Sequence, residues 1–310
     1  MEQRLRELYQ KIYAENYSGL EKQRKKARNI NIFCIMALIV LNGLAYFLSI
    51  LYFSEEFWFF SMTCSCIIIG YVQTKYTKEA KVYKKYYKEQ VIQQLTKGMF
   101  NDVEYEPDGM FLEEDFIKSG FDKSFYGQYL SEDLVKLTLN TKLKNNIDFC
   151  YAEVHTKDIN GRDMDGKQSG YTLFRGLVGK FKISKKFPVK FYIRRNGLLK
   201  KTNKNKINMD MTEFEELFDV ECEDKNLAVR ILTADIMDSM IKIYKKFNHE
   251  LEVHVIEDVV YVRIKCGALF EPSIRSKSIT LKKIQEYYFM IKDVTDMAGK
   301  IYDIIDNVDL

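Results

Sequence analysis

The sequence predicts an α+β protein: an N-terminal two-helix transmembrane hairpin with a helical stalk, then a cytoplasmic domain of mainly antiparallel sheet with packed helices. Three observations predict it. Two uncharged apolar runs stand close together, at residues 30–53 and 57–74. Helical repeats studded with charge flank them on both sides. From residue 101 onward, short alternating runs are interrupted by helical stretches without a strict strand-helix rhythm. The segments are therefore 1–29, an amphipathic cytoplasmic helix; 30–76, the transmembrane hairpin; 77–100, the stalk helix; and 101–310, the cytoplasmic α+β domain. With 46% hydrophobic and 30% charged residues the chain can bury a core, which excludes global disorder.

The first apolar run would reach about 36 Å as a helix, enough for a hydrocarbon core of about 30 Å. Ser54, Glu55 and Glu56 separate it from the second run. A buried hairpin in a soluble protein is the alternative, but adjacent uncharged runs of this length are rare in soluble folds. A secretory signal is disfavoured, because the run is too long for an h-region and lacks a small-residue cleavage site. Asn42 stands midway along the first span. A lone amide is costly in hydrocarbon, so Asn42 is expected to turn inward and find a hydroxyl or backbone partner on the facing helix, where Ser61, Thr63 and Ser65 lie at similar depth.

Cations set the orientation. Lys22, Arg24, Lys25, Lys26 and Arg28 precede the first run; Lys75, Lys78 and Lys81 follow the second, with Lys84, Lys85 and Lys88 beyond. The connecting loop has only glutamates, so both termini are expected in the cytoplasm of a multi-pass cell-membrane protein. The first eight of these cations are expected to contact an anionic inner leaflet. Phe57, Trp58, Phe59 and Phe60 suit an outer interfacial belt, and Tyr71 and Tyr76 an inner one. The rest of the chain is slightly acidic despite the overall charge of +4, which argues against a nucleic-acid partner.

Leu5, Leu8, Ile12 and Leu20 on one side of the hairpin, and Tyr76, Ala80, Tyr83, Tyr87, Val91 and Leu95 on the other, recur at helical spacing with no proline between them. Both spans are expected to continue as an antiparallel pair, with Leu5, Leu8 and Ile12 against Val91, Ile92 and Leu95. The alternative is two separate amphipathic helices on the leaflet surface. In the domain, strands are expected at 134–139, 147–154, 171–183, 189–193, 219–223, 251–256 and 259–265. Helices are expected at 212–217, 227–247 and 281–308. Leu232, Ile236, Met240 and Ile243 should face inward from the second helix, and Ile284, Tyr288, Ile291, Val294 and Met297 from the third. Glu257-Asp258 reads as a two-residue hairpin and 158–166 as a hairpin connection.

Thr172-Leu173-Phe174-Arg175-Gly176-Leu177 is similar to a phenylalanine-basic-glycine strand. Phe214, Phe218, Asp219 and Val220, then Ala228-Val229-Arg230-Ile231-Leu232-Thr233, form a second block; Phe121 with Ser124, and Tyr129 with Glu132-Asp133-Leu134, an earlier one. Together they resemble the bacterial family catalogued as domain of unknown function 3137, over most of residues 1–308. The resemblance implies a bacterial membrane protein with a cytoplasmic domain, and brings no catalytic residues.

Chemistry is thin in the sequence. Three histidines and six cysteines lack paired metal spacing, and a cytoplasmic domain would keep its thiols reduced. A calcium loop starting at Asp158 would need glycine at its sixth position and glutamate at its twelfth; Asp163 and Ser169 stand there. No phosphate-binding, dinucleotide or nucleophile-elbow motif occurs, so no cofactor and no metal are expected. Arg194, Arg195, Lys200, Lys201, Lys204 and Lys206 read as a solvated loop, or as a contact for anionic lipid or an acidic partner. The functional expectation is a membrane-anchored interaction or regulatory module with a protein partner, homo-oligomerisation being open. A membrane-bound enzyme with an unrecognised site is the alternative, and an oligomeric channel component ranks last, since the spans hold no ionisable residue.

Overall fold

The computed structural model describes residues 2–52, 56–100, 102–121, 127–158, 171–196, 205–247 and 250–308. The chain divides into two compact units: 1–95 with 271–284, and 96–270 with 285–310.

The first unit is built on two long helices, α1 (Glu2–Tyr52) and α2 (Glu56–Tyr87), packed against each other. A run free of proline and rich in straight-chain and apolar residues keeps α1 unbroken over 51 residues. α1 is long and apolar enough to cross a membrane, with its apolar stretch only 11% buried. Below that stretch Leu5, Ile12, Leu20 and Ala27 of α1 are buried, as are Ala80, Tyr83 and Tyr87 of α2. Helical repeat beyond α2 is interrupted: Lys88–Ile92 forms a π turn before α3 (Gln93–Met99). The widened turn still buries Val91 and Ile92, and α1 packs against it. Leu8 is only half-buried, so the buried seam of α1 passes through Leu5 and Ile12.

The second unit holds one nine-stranded sheet. Its strands are β1 (Val103–Glu106), β2 (Gly127–Asn140), β3 (Asn146–Asp158), β4 (Tyr171–Lys182), β5 (Phe191–Arg195), β6 (Lys206–Ile207), β7 (Phe218–Cys222), β8 (Glu250–Ile256) and β9 (Val259–Lys265). Their order is β1-β2-β3-β4-β9-β8-β5-β7-β6, and every neighbouring pair is antiparallel. Directly paired residues share a face, so the register defines rows across the sheet. One row runs Val103, Leu137, Phe149, Phe181, Val260, Val255, Phe191, Cys222 and is apolar. The adjacent row, on the opposite face, runs Glu104, Lys136, Cys150, Lys180, Tyr261, His254, Tyr192, Glu221, Lys206.

The helix α8 (Leu281–Asn307) covers the apolar face: Ile291 and Val294 close over Phe149, Tyr151, Leu177, Val262 and Ile264, leaving about 10 Å³ between them. Further along, α7 (Ala234–Phe247) packs on β8, and α5 (Thr212–Leu217) on α7 and β7. The other face is partly covered by α4 (Glu113–Lys118) and its flanks. Phe111, Phe116 and Phe121 pack there against Ala152, Val154, Phe174, Val178 and Tyr261.

Three expectations are corrected. The helix expected over 227–247 is two, α6 (Lys225–Ile231) and α7. Leu232 leaves helical geometry, and the Thr233 carbonyl accepts from Ile236 and Met237 N–H to start the next helix. Leu232, Ile236, Met240 and Ile243 are all buried, so the apolar repeat runs through the break. On α8, Ile284, Ile291, Val294 and Met297 are buried as expected, but at the tyrosine position Tyr287 is buried and Tyr288 only half-buried. The stalk helix expected over 77–100 contains the π turn. Residues 159–166 of the expected connection lie outside the described residues.

Candidate functional site

Asn42 sits between α1 and α2. Its amide nitrogen donates to the Leu38 carbonyl at 2.8 Å and to Ser65 Oγ at 3.3 Å, and its carbonyl oxygen accepts from Ser61 Oγ at 3.0 Å. Thr63 bonds its own helix, at the Phe59 carbonyl.

The flanking cations separate into two kinds. Lys22, Lys25, Lys26, Lys75, Lys78 and Lys81 are exposed. Arg24 is not: it is 5% exposed, bonds Glu21 through Nε and Nη2 at 2.9 and 2.7 Å, and donates from Nη1 to the Ile274 carbonyl at 3.1 Å. This corrects the expectation that Arg24 reaches lipid. Its guanidinium is consumed by a planar, bidentate pair that a lysine could not make. Ser278 donates to Glu21 from its backbone N–H and from Oγ at 3.1 and 2.9 Å. These bonds, led by Arg24, hold the Glu21 carboxyl down at about 2. Lys84 pairs with Glu271 at 2.5 Å and Tyr83 donates to the Ser273 carbonyl at 3.3 Å. Residues 271–278 are thus fastened to the stalk by four of its side chains, Glu21, Arg24, Tyr83 and Lys84. Arg28 is half-buried, its Nε without a hydrogen-bond partner.

Between the exposed cations lies a groove of about 770 Å³. Its polar end carries Lys26, Asn29 and Lys75, and its apolar length is formed by Ile30, Phe33 and Ala37 of α1 with Ile67, Ile68, Tyr71 and Val72 of α2. Lys26 pairs with Glu79 at 2.8 Å, while Lys75 lies 5.9 Å from the Tyr71 ring centre.

In the second unit the polar sheet face carries two clusters. His254, fully buried, meets the Ser119 carbonyl at Nδ1 (2.7 Å) and Arg194 Nε at Nε2 (3.3 Å), with Phe121 and Tyr192 rings against it. Beside it, Arg263 pairs with Glu252 at 2.6 Å and lies against both Phe121 and Phe174. Arg194 Nη2 is buried without a hydrogen-bond partner. The second cluster lines a groove of about 670 Å³ that includes Lys136, Asp148, Cys150, Lys180 and Lys182. Two of its lysines are paired: Lys136 bonds Glu106 at 2.5 Å and Lys180 bonds Asp115 at 2.5 Å. Burial raises the Cys150 thiol, which disfavours the thiolate. Burial likewise pushes Cys266 up to about 12.

On the apolar side, Glu153 of β3 is pushed up to about 7 by burial. It accepts from the Leu269 and Phe270 N–H groups at 3.1 and 3.3 Å and meets Arg175 Nε at 3.3 Å. Asp133 sits at positive φ in the bulge of β2, buried, and accepts from Tyr105 at 2.5 Å. These carboxylates tie segments together; nothing in their sequence spacing marks them. Among the described residues no three His, Cys, Asp or Glu side chains converge on a metal-sized site. His249, Lys200, Lys201 and Lys204 lie outside the described residues. Arg195 pairs with Glu250 and Lys206 with Asp219, so the described ends of the basic run are neutralised within the sheet.

The phenylalanine-basic-glycine stretch has a structural reason. Phe174 is buried under Arg263, Arg175 pairs with Glu153, and a Cβ on Gly176 would stand 2.0 Å from the Ile264 carbonyl oxygen. No curated protein matches the chain. The crystal structure of the mycobacterial trehalose monomycolate transport factor A aligns with 62% of this chain and 88% of its own, at 9% identity and a TM-score of 0.31. A match to the family described as "Protein of unknown function (DUF3137)" covers residues 172–302 and stops short of the N-terminal segments over which the sequence extends the resemblance. Over those residues, which hold both the phenylalanine-basic-glycine strand and the 228–233 stretch, the chain resembles that family.

Proposed function

We propose that the chain is a multi-pass protein of the cell membrane, anchored by α1 and α2 with both termini in the cytoplasm, and that the second unit serves as an interaction or regulatory module. The observation that carries this reading is the apolar exposure of both helices. Phe33, Val40 and Phe47 on α1, and Phe59, Phe60 and Ile67 on α2, are each more than half exposed, whereas Asn42, Ser61 and Ser65 bond one another between the helices. Apolar outside and polar inside is the inverse of a water-facing helix pair and matches hydrocarbon as the surrounding medium. The exposed lysines at the ends of this band support the cytoplasmic orientation. Support for a module comes from the sheet's polar face, whose charges are paired around a packed aromatic patch and so offer a rigid surface.

The test is cysteine accessibility in a chain stripped of its six native cysteines. A cysteine at position 54 is expected to react with an impermeant reagent in intact cells, and one at position 308 only after permeabilisation. Labelling of position 308 from outside overturns the orientation. Failure of the chain to sediment with membranes overturns the anchoring.

A further inference from the structure

The groove between α1 and α2 differs from an ordinary lipid-facing helix surface. It has an apolar length, a small-residue floor at Ala37, and cations at one end only. From Lys26 to Ala37 the helix climbs about 16 Å, close to the roughly 15 Å depth of one leaflet's hydrocarbon. The polar end therefore lies at headgroup level when the apolar length lies among acyl chains. Glu79 already holds Lys26, and Lys75 has no carboxylate partner among the described residues. Residues 30–53 and 57–74 contain no acid, so the span of a second copy would bring no charge to meet Lys75. An anionic phospholipid brings both parts: an acyl chain for the apolar length and a phosphate for the ammonium.

We infer that this groove is a binding site for one anionic phospholipid of the cytoplasmic leaflet, an acyl chain lying along Phe33, Ala37 and Ile67 and the phosphate held by Lys75 beside Asn29. The inference rests on the membrane reading above and goes further, since a headgroup preference seated in one groove is not required of a membrane anchor. An ammonium near an anionic lipid surface contributes about five-fold in affinity.

The experiment places a reporter in the groove. The full chain, with its single native tryptophan removed as Trp58→Phe and with Phe33→Trp, is reconstituted in phosphatidylcholine bilayers. Dibrominated phosphatidylglycerol or dibrominated phosphatidylcholine is then titrated in, and quenching is read. The expected result is about five-fold or greater preference for phosphatidylglycerol, falling toward parity in Lys75→Gln and unchanged in Lys78→Gln, whose lysine lies off the groove. A second reporter, Ile67→Trp, reads the facing wall should the first disturb packing. Equal quenching by both lipids overturns the site and leaves the anchor standing, as does a preference that survives Lys75→Gln. Absence of quenching by either lipid at both reporters overturns the membrane reading itself, and the site with it.

Discussion

Burial raises the carboxyls of two glutamates alike, but only at Glu21 do hydrogen bonds outweigh it. Glu21 is held down at about 2, first by Arg24 and then by the Ser278 donors. Its stabilising effect is complete above about 4.5, the value of an ordinary glutamate, and is lost as pH falls through about 2. Glu21→Gln should remove charge-assisted bonds of roughly 2 kcal/mol, and thermal unfolding of the full chain followed from pH 6 down to pH 2 should then lose part of its acid-side slope. An unchanged slope would show that the pair is not formed in solution. Glu153 is raised to about 7 because desolvation outweighs Arg175. The folded chain keeps that proton where the unfolded chain releases it, so this group stabilises below about 4.5 and the contribution is lost as pH rises through about 7. Glu153→Gln should flatten stability between those two pH values while its side-chain oxygen still accepts from Leu269 and Phe270. A steeper profile would contradict the assignment. Neither role is visible in sequence: Glu21 and Ser278 are 257 residues apart, and Glu153 and Phe270 are 117 apart.

At the scale of elements, what repeats locally was legible. The β8–β9 hairpin across Glu257-Asp258 follows from alternating branched residues around a tight turn, with Glu257 at positive φ. α8 follows from its three-four spacing. β1, four residues long, is too short to show a period, and α4 buries a single side chain, Phe116, so it shows no apolar repeat. The α6–α7 break was missed because its apolar repeat continues through the kink. Two element junctions can be tested. Asn42→Leu removes bonds worth about 0.6 kcal/mol on average and up to about 2; the chain should still insert, with a modest fall in the α1–α2 unfolding midpoint in detergent. A loss of insertion would mean that the amide does more than join helices. Gly176→Ala forces a methyl against the β9 backbone, where overpacking costs about 3 kcal/mol. Circular dichroism should show the sheet melting several degrees earlier, and an unchanged melt would mean that β4 and β9 are not paired as described.

For the whole molecule, the first unit is discontinuous: residues 1–95 are joined in it by 271–284. Sequence-based boundaries drawn through apolar runs have no means of assigning a short segment near the C-terminus to a stalk near the N-terminus. The segment protects Arg24, a cleavage site for trypsin. Ser278→Ala, which removes the Oγ donor to Glu21, should raise the rate of trypsin cleavage after Arg24 in the full chain relative to cleavage after exposed Lys22. An unchanged ratio would show that the segment does not guard the stalk.

That discontinuity bears on biogenesis. Glu21 leaves the ribosome 257 residues before Ser278, a wait on the order of 10–50 s at ordinary elongation rates. For that interval the stalk exists without its fastening, and the whole sheet is translated before it can be completed. A nascent chain that stalls after residue 270 would carry a long, half-finished helical pair, the kind of intermediate that quality-control proteases recognise. Completion of the stalk thus waits on residues 271–278, which are translated after the sheet.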